Sequence, residues 1–485
     1  MALKITREEF HEIYIQGEEA VYLLFQKLIE RINALEEKVT QLEERINKDS
    51  HNSSKPPSSD WNRKTPKSLR EKSGKHSGGQ PGHEGHSLKQ SATPDHIIKR
   101  HCSGMCPCGR DLSKAKIIDY EKRQVTDLPK PKPETTEFQA DIVRCSCGAL
   151  HTAEFPAGVD APVQYGQRIR STLVYLSQYQ LLPQKRLTDV MTDLFGLPIS
   201  QGTVNKAVQE AYDRLEDTET AIKEAIRGSP VVHGDETGMY VAGKRIWQHT
   251  LGTALFTYFF FHVNRGKTAL RDDGTLEKYS GRLMHDGWMS YFDIDFQHAF
   301  CNAHHLRELV FLTEKCKQRW AGTMIKLLCH IKKTVDRAKE AGRKQLAPQT
   351  LRHYRKRYEF IIAFGSRSNP RNITKKISST RGKIKQTPAR NMLDHLKNYA
   401  DETLVFMYDF NVSFDNNTSE RDLRMSKVKQ KISGCYRSMF GAQAFCRIRG
   451  YISTVRKHGL DVFDYMVKCF DPDIDHKVLL PQEPE

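Results

Sequence analysis

The sequence predicts a multidomain α+β protein: an N-terminal coiled coil, a small cysteine-bearing region, a helix-turn-helix, and an α/β domain interrupted by a helical basic insertion. Three observations carry this reading. Apolar residues form two unbroken heptad rows near the N-terminus, cysteine pairs followed by glycine occur twice further on, and strand-like runs alternating with helical patterns begin at residue 230. The 485 residues suffice for roughly two to four domains.

Composition narrows the class of partner. The net charge is +17 and the pI about 9.3, a surplus that points to a polyanion, with nucleic acid ahead of an anionic membrane surface. No run approaches the roughly 18 apolar residues of a membrane span, and MALKITREEF lacks the apolar core of a secretory signal, so a cytoplasmic protein is expected. In a reducing compartment, 11 cysteines argue for metal sites or buried thiols over disulfides.

Residues 1–48 are assigned to a dimerising helix. Val21, Leu28, Leu35 and Leu42 form one row and Phe25, Ile32, Val39 and Ile46 the other, a pattern that favours a parallel two-stranded coil. Arg31 and Lys38 flank the seam where Glu36 and Glu43 of a partner helix would face them. Residues 49–100, with NSSKPPSSD and GKHSGGQPGHEGH, read as a flexible basic linker with almost nothing to bury.

Residues 101–160 carry Cys106 and Cys108 in MCPCGRDL and Cys145 and Cys147 in RCSCGAL. A glycine after each pair permits the tight turn that aims two thiolates at one ion, and four thiolates suit a single structural Zn2+. Cys102 and His101 are spare candidates. Residues 161–225 read as helical. A helix up to Phe195, a break at Gly196–Ser200 and a new helix from Gly202 fit a helix-turn-helix, with Gln201 and Thr203 at the exposed start of its second helix as candidate DNA contacts.

Residues 226–302 and 403–460 form the α/β domain. VVHGD, RIWQHTLG and FTYFFFHV are three successive strands, a helix covers 267–279, and RLMHD and HAFC are two further strands before a closing helical region at 416–458. That order is an RNase H-like plan. Within it, Asp235 ends the first strand, Asp286 ends the fourth, and Glu420 opens the last helical run. Cutting a phosphodiester with two ions about 3.5–4 Å apart needs carboxylates held on different rigid elements, and Mg2+ or Mn2+ prefers such oxygen ligands. Asn416, Glu420, Arg424 and Lys427 share one helix face, so phosphate-binding cations would border the carboxylate. Glu236, Asp293, Asp295, Asp415 and Asp422 remain as rival carboxylates.

The insertion, 303–402, is helical and basic: residues 331–390 hold 18 Lys or Arg against 3 Asp or Glu. Lys375, Lys376, Arg381 and Lys383 lie in a loop-like stretch that would grip DNA beside the carboxylates. Residues 461–485 are a C-terminal tail.

At this point the chain resembles the transposases of insertion-sequence family sixty-six. The resemblance rests on NSSKPPSSD, GGQPGHEGH, APVQYG (161–166), YQLLP (179–183), HGDET (233–237), CNAHHLREL (301–309), DNNTSERDLRM (415–425) and SGCYRS (433–438), and covers nearly the whole length. It implies an N-terminal leucine zipper, a zinc-binding region and a DDE-type catalytic domain whose acidic triad falls on Asp235, Asp286 and Glu420. It further implies two Mg2+ or Mn2+ ions per site, cleavage of transposon ends and strand transfer into target DNA, work as a homodimer or higher oligomer at the bacterial nucleoid, and small accessory proteins from the same element. Lys427 resembles the lysine of an E-x6-K element that contacts DNA. Cys301 and His304 resemble a C-x-x-H signature, for which a satisfied core pair is the simpler reading. The knuckles depart from the family, being C-x-C where C-x-x-C is usual. A metal-dependent nuclease or resolvase on the same fold, and an inactive DNA-binding regulator, are the alternative functions.

Overall fold

The computed structural model describes residues 6–46, 48, 88–277, 279–372, 384 and 386–474. The chain divides into two units: Met1–Pro66, Phe138–Thr188 and Ile199–Glu485 form one, and Lys67–Glu137 with Asp189–Pro198 the other. Most of the basic linker and the 373–383 stretch lie outside the described residues.

The first unit opens with α1 (Arg7–Ile15) and α2 (Glu18–Ile46). Thr6 caps α1 by a reciprocal exchange with Glu9, and Gly17, at φ 99°, separates the two helices. Along α2 the two apolar rows are exposed from Phe25 onward, from 40% at Leu28 to 82% at Ile46, while Val21 at their start is half-buried. Next come a short antiparallel hairpin, β1 (Ile142–Arg144) and β2 (Leu150–Thr152), then α3 (Gln167–Val174), which continues into a π-helical turn at Tyr175–Tyr179. Helix α4 (Gln184–Phe195) passes into the second unit from Asp189, and α5 (Gln201–Arg214) and α6 (Glu216–Arg227) belong to the first.

Five strands make one mixed sheet: β3 (Val231–Val241), β4 (Lys244–Gly252), β5 (Thr257–His262), β6 (Arg282–His285) and β7 (Gln297–Phe300). Their order is β5-β4-β3-β6-β7; β3 to β5 form an antiparallel meander, while β6 and β7 run parallel to β3. The intervening helix α7 (Lys267–Asp273) crosses from β5 to β6. Alternation divides the strands between two cores. Val232, Leu251 and Leu283 pack with Ile222 and Ile226 of α6 and Ala269 and Leu270 of α7. Val231, Met284 and Ala299 face the other way, into the apolar core of a helical block.

That block comprises α8 (Asn302–Glu314), α9 (Arg319–Glu340), α10 (Pro348–Ser368), α11 (Pro388–Asn398) and α12 (Ala400–Tyr408), built around Trp320, Leu328, Tyr358, Leu393 and Leu404. The chain returns to the sheet with α13 (Asn417–Ser433), α14 (Met439–Lys457) and α15 (Val462–Cys469). Gly450 lets α14 lie close on β5, since a Cβ there would sit 3.0 Å from the Thr257 carbonyl oxygen. No described helix is long and apolar enough to cross a membrane.

Two expectations are corrected. The first strand does not end at Asp235 but runs to Val241, because Gly238 pairs with Trp247 and makes room for the Arg245 guanidinium, whose Nε would lie 2.9 Å from a Cβ at that position. The helix expected over 267–279 stops at Asp273, where Gly274 takes a left-handed φ of 72°.

Candidate active site

The site begins where two parallel strands part. Pairing of β3 with β6 runs Val231 to Arg282, Val232 to Leu283 and His233 to Met284, then ceases. Two residues further along each strand stand Asp235 and Asp286, on the same face as Val231 and Met284 by alternation, with neighbouring parallel strands about 4.8 Å apart. Asp286 follows the last residue of β6. Its Oδ1 accepts from the Trp288 amide at 2.9 Å, across a turn in which Gly287 has φ 88°.

With β6 gone, one edge of β3 has no strand beside it, and the segment around α13 takes its place. The Asn416 Nδ2 donates to the Gly234 carbonyl at 2.8 Å, the Lys427 Nζ to Gly238 at 2.7 Å, and the Tyr436 amide to Tyr240 at 2.9 Å. These three carbonyls, two or four residues apart, point to the same side of a strand. A helix stitched in this way to β3 brings Glu420, in its first turn, beside Asp235. Asn416 fixes that turn: its carbonyl accepts from Glu420 N at 3.2 Å, its amide donates to Cys301 Sγ at 3.2 Å, and its Oδ1 meets His233 Nδ1 at 2.8 Å.

The electrostatics follow from this crowding. Burial, first, and then the charges of Glu236, Asp286 and Glu420 push the Asp235 carboxyl well above the usual carboxylate range. Burial lowers the His304 imidazole; Arg307 adds to that, while Asp286 and Glu420 oppose it. Four acidic groups and His304 thus feel one another at one end of the sheet.

The rival carboxylates have other partners. Glu236 points to the opposite face, where Arg265 pairs with it at 2.6 Å and the Tyr291 hydroxyl donates to it; Arg265 in turn lies over the Trp288 ring at 4.0 Å. Asp422 accepts from Lys457 at 2.9 Å and from the Thr257 hydroxyl at 3.1 Å, tying α13 to α14 and β5. Asp293 pairs with Lys267 at 2.8 Å, Asp295 is exposed, and Asp415 accepts from the Asn417 amide at 3.2 Å.

Among the candidate DNA contacts, Arg424 is exposed on α13, whereas Lys427 is half-buried with its ammonium on Gly238. Gln201 is exposed at the start of α5, and Thr203 joins the cap made by Ser200, whose Oγ accepts from the Thr203 amide at 3.1 Å. Lys375, Lys376, Arg381 and Lys383 lie outside the described residues.

The cysteine knuckles share one turn. The Cys106 amide donates to Arg110 and its carbonyl accepts from Gly109, both at 2.8 Å; Cys145 repeats this with Ala149 and Gly148 at the same distances. Gly109 and Gly148 have φ of 83° and 90°. Hydrogen bonds from the backbone of Cys108 and of Cys147 lower the Cys106 and Cys145 thiols respectively. One knuckle belongs to each unit.

The expectation of a satisfied core pair at Cys301 and His304 holds for only one member. Cys301 is buried and accepts the Asn416 amide, but His304 Nδ1 is buried without a hydrogen-bond partner. Sequence reasoning placed Asn416 on the Glu420 face without seeing its bridging role. The Asn at the entrance to an acidic helix was the available signal.

Comparison with known families agrees with this architecture. Residues 162–444, more than half of the chain, match the model of the transposase IS66 family, and residues 8–89 match a family of unknown function, DUF6444. No curated protein matches the chain. The matched span takes in β3, β6, the helical block and α13, with Asp235, Asp286 and Glu420 inside it, and the chain belongs to the IS66 family of transposases.

Proposed function

We propose that the chain is a DDE-type DNA transposase on an RNase H-like domain, with Asp235, Asp286 and Glu420 as its catalytic triad. The observation that carries this is the convergence of Asp235, where the pairing of β3 with β6 has ceased, and Asp286, just past the end of β6, with Glu420 through the α13 stitching of β3. The three supply hard oxygen donors from three elements. Asp235, whose charge is opposed by a dry setting and three like charges, fits a position that ionises fully when cations are near. The group fits, therefore, with Asp235 and Asp286 as holders of two divalent ions and Glu420 completing the set; bound there, Mg2+ or Mn2+ would help ionise the attacking oxygen and stabilise the leaving one.

The remaining work falls to the chain itself. Asn416 keeps Glu420 in register with Asp235. Arg265, clamped by Glu236 and Trp288, stiffens the turn after Asp286. Arg424, one turn beyond Glu420 and exposed, faces phosphates approaching along α13, while Gln201, Thr203, Lys375, Lys376, Arg381 and Lys383 supply further DNA contacts. The two knuckles each present a thiolate pair suited to zinc.

The test uses DNA carrying the element's ends. Asp235→Asn, Asp286→Asn and Glu420→Gln should each lose several orders of magnitude in nicking and joining while still shifting end DNA. Asp293→Ala, at an exposed ion pair, should keep activity. Near-normal joining by any of the three would show that the wrong carboxylate carries the chemistry, and nicking without joining by the unmodified protein would leave a nuclease.

A further inference from the structure

Beside the carboxylates lies a donor set of different chemical character. Cys301 Sγ, a ring nitrogen of His304 and a carboxylate oxygen of Glu420 all lie within 4.8 Å of one another. Sulfur, imidazole and carboxylate together suit zinc-class ions, whereas Mg2+ takes oxygen ligands. Three protein ligands is the number found in zinc sites that keep an exchangeable fourth position.

Two further observations point to a ligand. His304 Nδ1 is buried and unpartnered, in a protein interior where such groups are normally satisfied. The three donors are also held by one short network. The Cys301 amide donates to His285 O at 2.9 Å, the His304 amide to Cys301 O at 3.1 Å, and Asn416 joins Cys301 Sγ to the Glu420 amide. Donors held by backbone bonds at the starts of α8 and α13 are preorganised. His304 and Glu420 are partly exposed, which gives an ion a way in.

We propose that Cys301, His304 and Glu420 form a site for a zinc-class divalent ion, and that this site competes with the oxygen-donor site of Asp235 and Asp286 for Glu420. On binding, the Cys301 thiol gives its proton to solvent and the sulfur becomes a ligand. An ion held there draws Glu420 toward α8, so zinc-class ions oppose the hard cations. The competition rests on the proposed triad; the binding site does not.

Cobalt(II) is the probe, added to the full-length protein, because thiolate ligation gives a charge-transfer absorption that oxygen ligands do not. The knuckle cysteines will also take cobalt, so the reading is a difference between proteins that all retain them. Cys301→Ser should bind one thiolate-ligated cobalt fewer per chain than the unmodified protein. His304→Gln and Glu420→Gln should weaken that same ion by about 10- to 100-fold or more, the scale on which even an outer-shell partner counts. Both are partly exposed positions, and they carry the test if the buried Cys301→Ser variant does not fold. Equal cobalt stoichiometry and affinity in His304→Gln and the unmodified protein would overturn the site. Unchanged affinity in Glu420→Gln would overturn the competition. Asp235→Asn separates the two readings: it should keep the cobalt signal and lose nicking, so nicking by Asp235→Asn would remove the triad while leaving the cobalt result intact.

Discussion

Asn416 reaches in four directions at once, and they end on three segments that bear candidate catalytic or ligating groups: β3, the Cys301 turn and α13. Because its Nδ2 donates to Gly234 O, its Oδ1 is the acceptor for His233, which fixes the His233 proton on Nδ1. Burial, the largest influence, lowers the His233 pKa, so the ring stays neutral in this role. Asn416→Ala leaves the Gly234 carbonyl and His233 Nδ1 buried and unpaired, at a cost of about 1–3 kcal/mol for each group. The expected outcome is a lower melting temperature together with a slower single-turnover nicking step at saturating DNA. Asn416→Asp keeps the acceptor but adds a negative charge to the acidic cluster, and should cost more in rate than Asn416→Ala. Lost stability with an unchanged nicking rate in both variants would reduce Asn416 to a packing residue. At this scale the sequence was informative about chemistry and silent about partners. Glu236 stayed a rival in the sequence because alternation separates it from Asp235 only if the strand persists, and the structure supplies that continuation to Val241. Glu420 was preferred to Asp422 by its helix face, but the partners that engage Asp422, Lys457 and Thr257, are far away in sequence and leave no local pattern.

Among elements, α13 and β3 define the site, and here the sequence misled for a physical reason. Gly234 and Gly238 look like strand breakers. Instead Gly238 accommodates the Arg245 side chain and β3 continues to Val241, which gives α13 the length of open edge it occupies. The helical character of the last region and the succession of strands along the chain were legible because periodicity records burial. The edge stitching was not, since a backbone carbonyl leaves no trace in sequence. For α2 the opposite holds: the heptad rows were plain, and the structure leaves Phe25, Leu28, Ile32, Leu35, Val39 and Leu42 exposed. An exposed apolar stripe of this length fits pairing with a second copy. Leu35→Pro, which costs about 3 kcal/mol or more in a helix interior, should turn a dimer into a monomer by light scattering. A full-length chain already monomeric at micromolar concentration would defeat the coiled-coil reading.

For the whole molecule the decisive quantity is where the charge of +17 is free to act. The helical block looked uniformly basic, yet several of its cations are committed internally. Arg355 pairs with Glu359 at 2.7 Å and with Asp401, Lys332 with Asp336 at 2.7 Å, and Arg371 with Asp394 at 3.0 Å. Arg352, Lys356 and Arg357 are instead exposed along α10, whose other face buries Tyr354 and Tyr358. Counting basic residues therefore overstates the DNA-binding surface, and the structure divides the cations into two groups with different expected behaviour. Each phosphate contact adds about 0.9 to the slope of log binding constant against log salt concentration. If α10 lies against DNA, changing Arg352, Lys356 and Arg357 together to Gln should lower the magnitude of that slope by roughly 2–3 and weaken binding to end and unrelated DNA alike. Arg355→Gln, although it removes the same charge per residue, should leave the slope nearly unchanged and lower thermal stability, because its partners are carboxylates of this chain. The measurement is a filter-binding or anisotropy titration at several salt concentrations. Equal slopes for the triple variant and the unmodified protein would place the DNA elsewhere, and a reduced slope for Arg355→Gln would mean that its ion pairs open on binding.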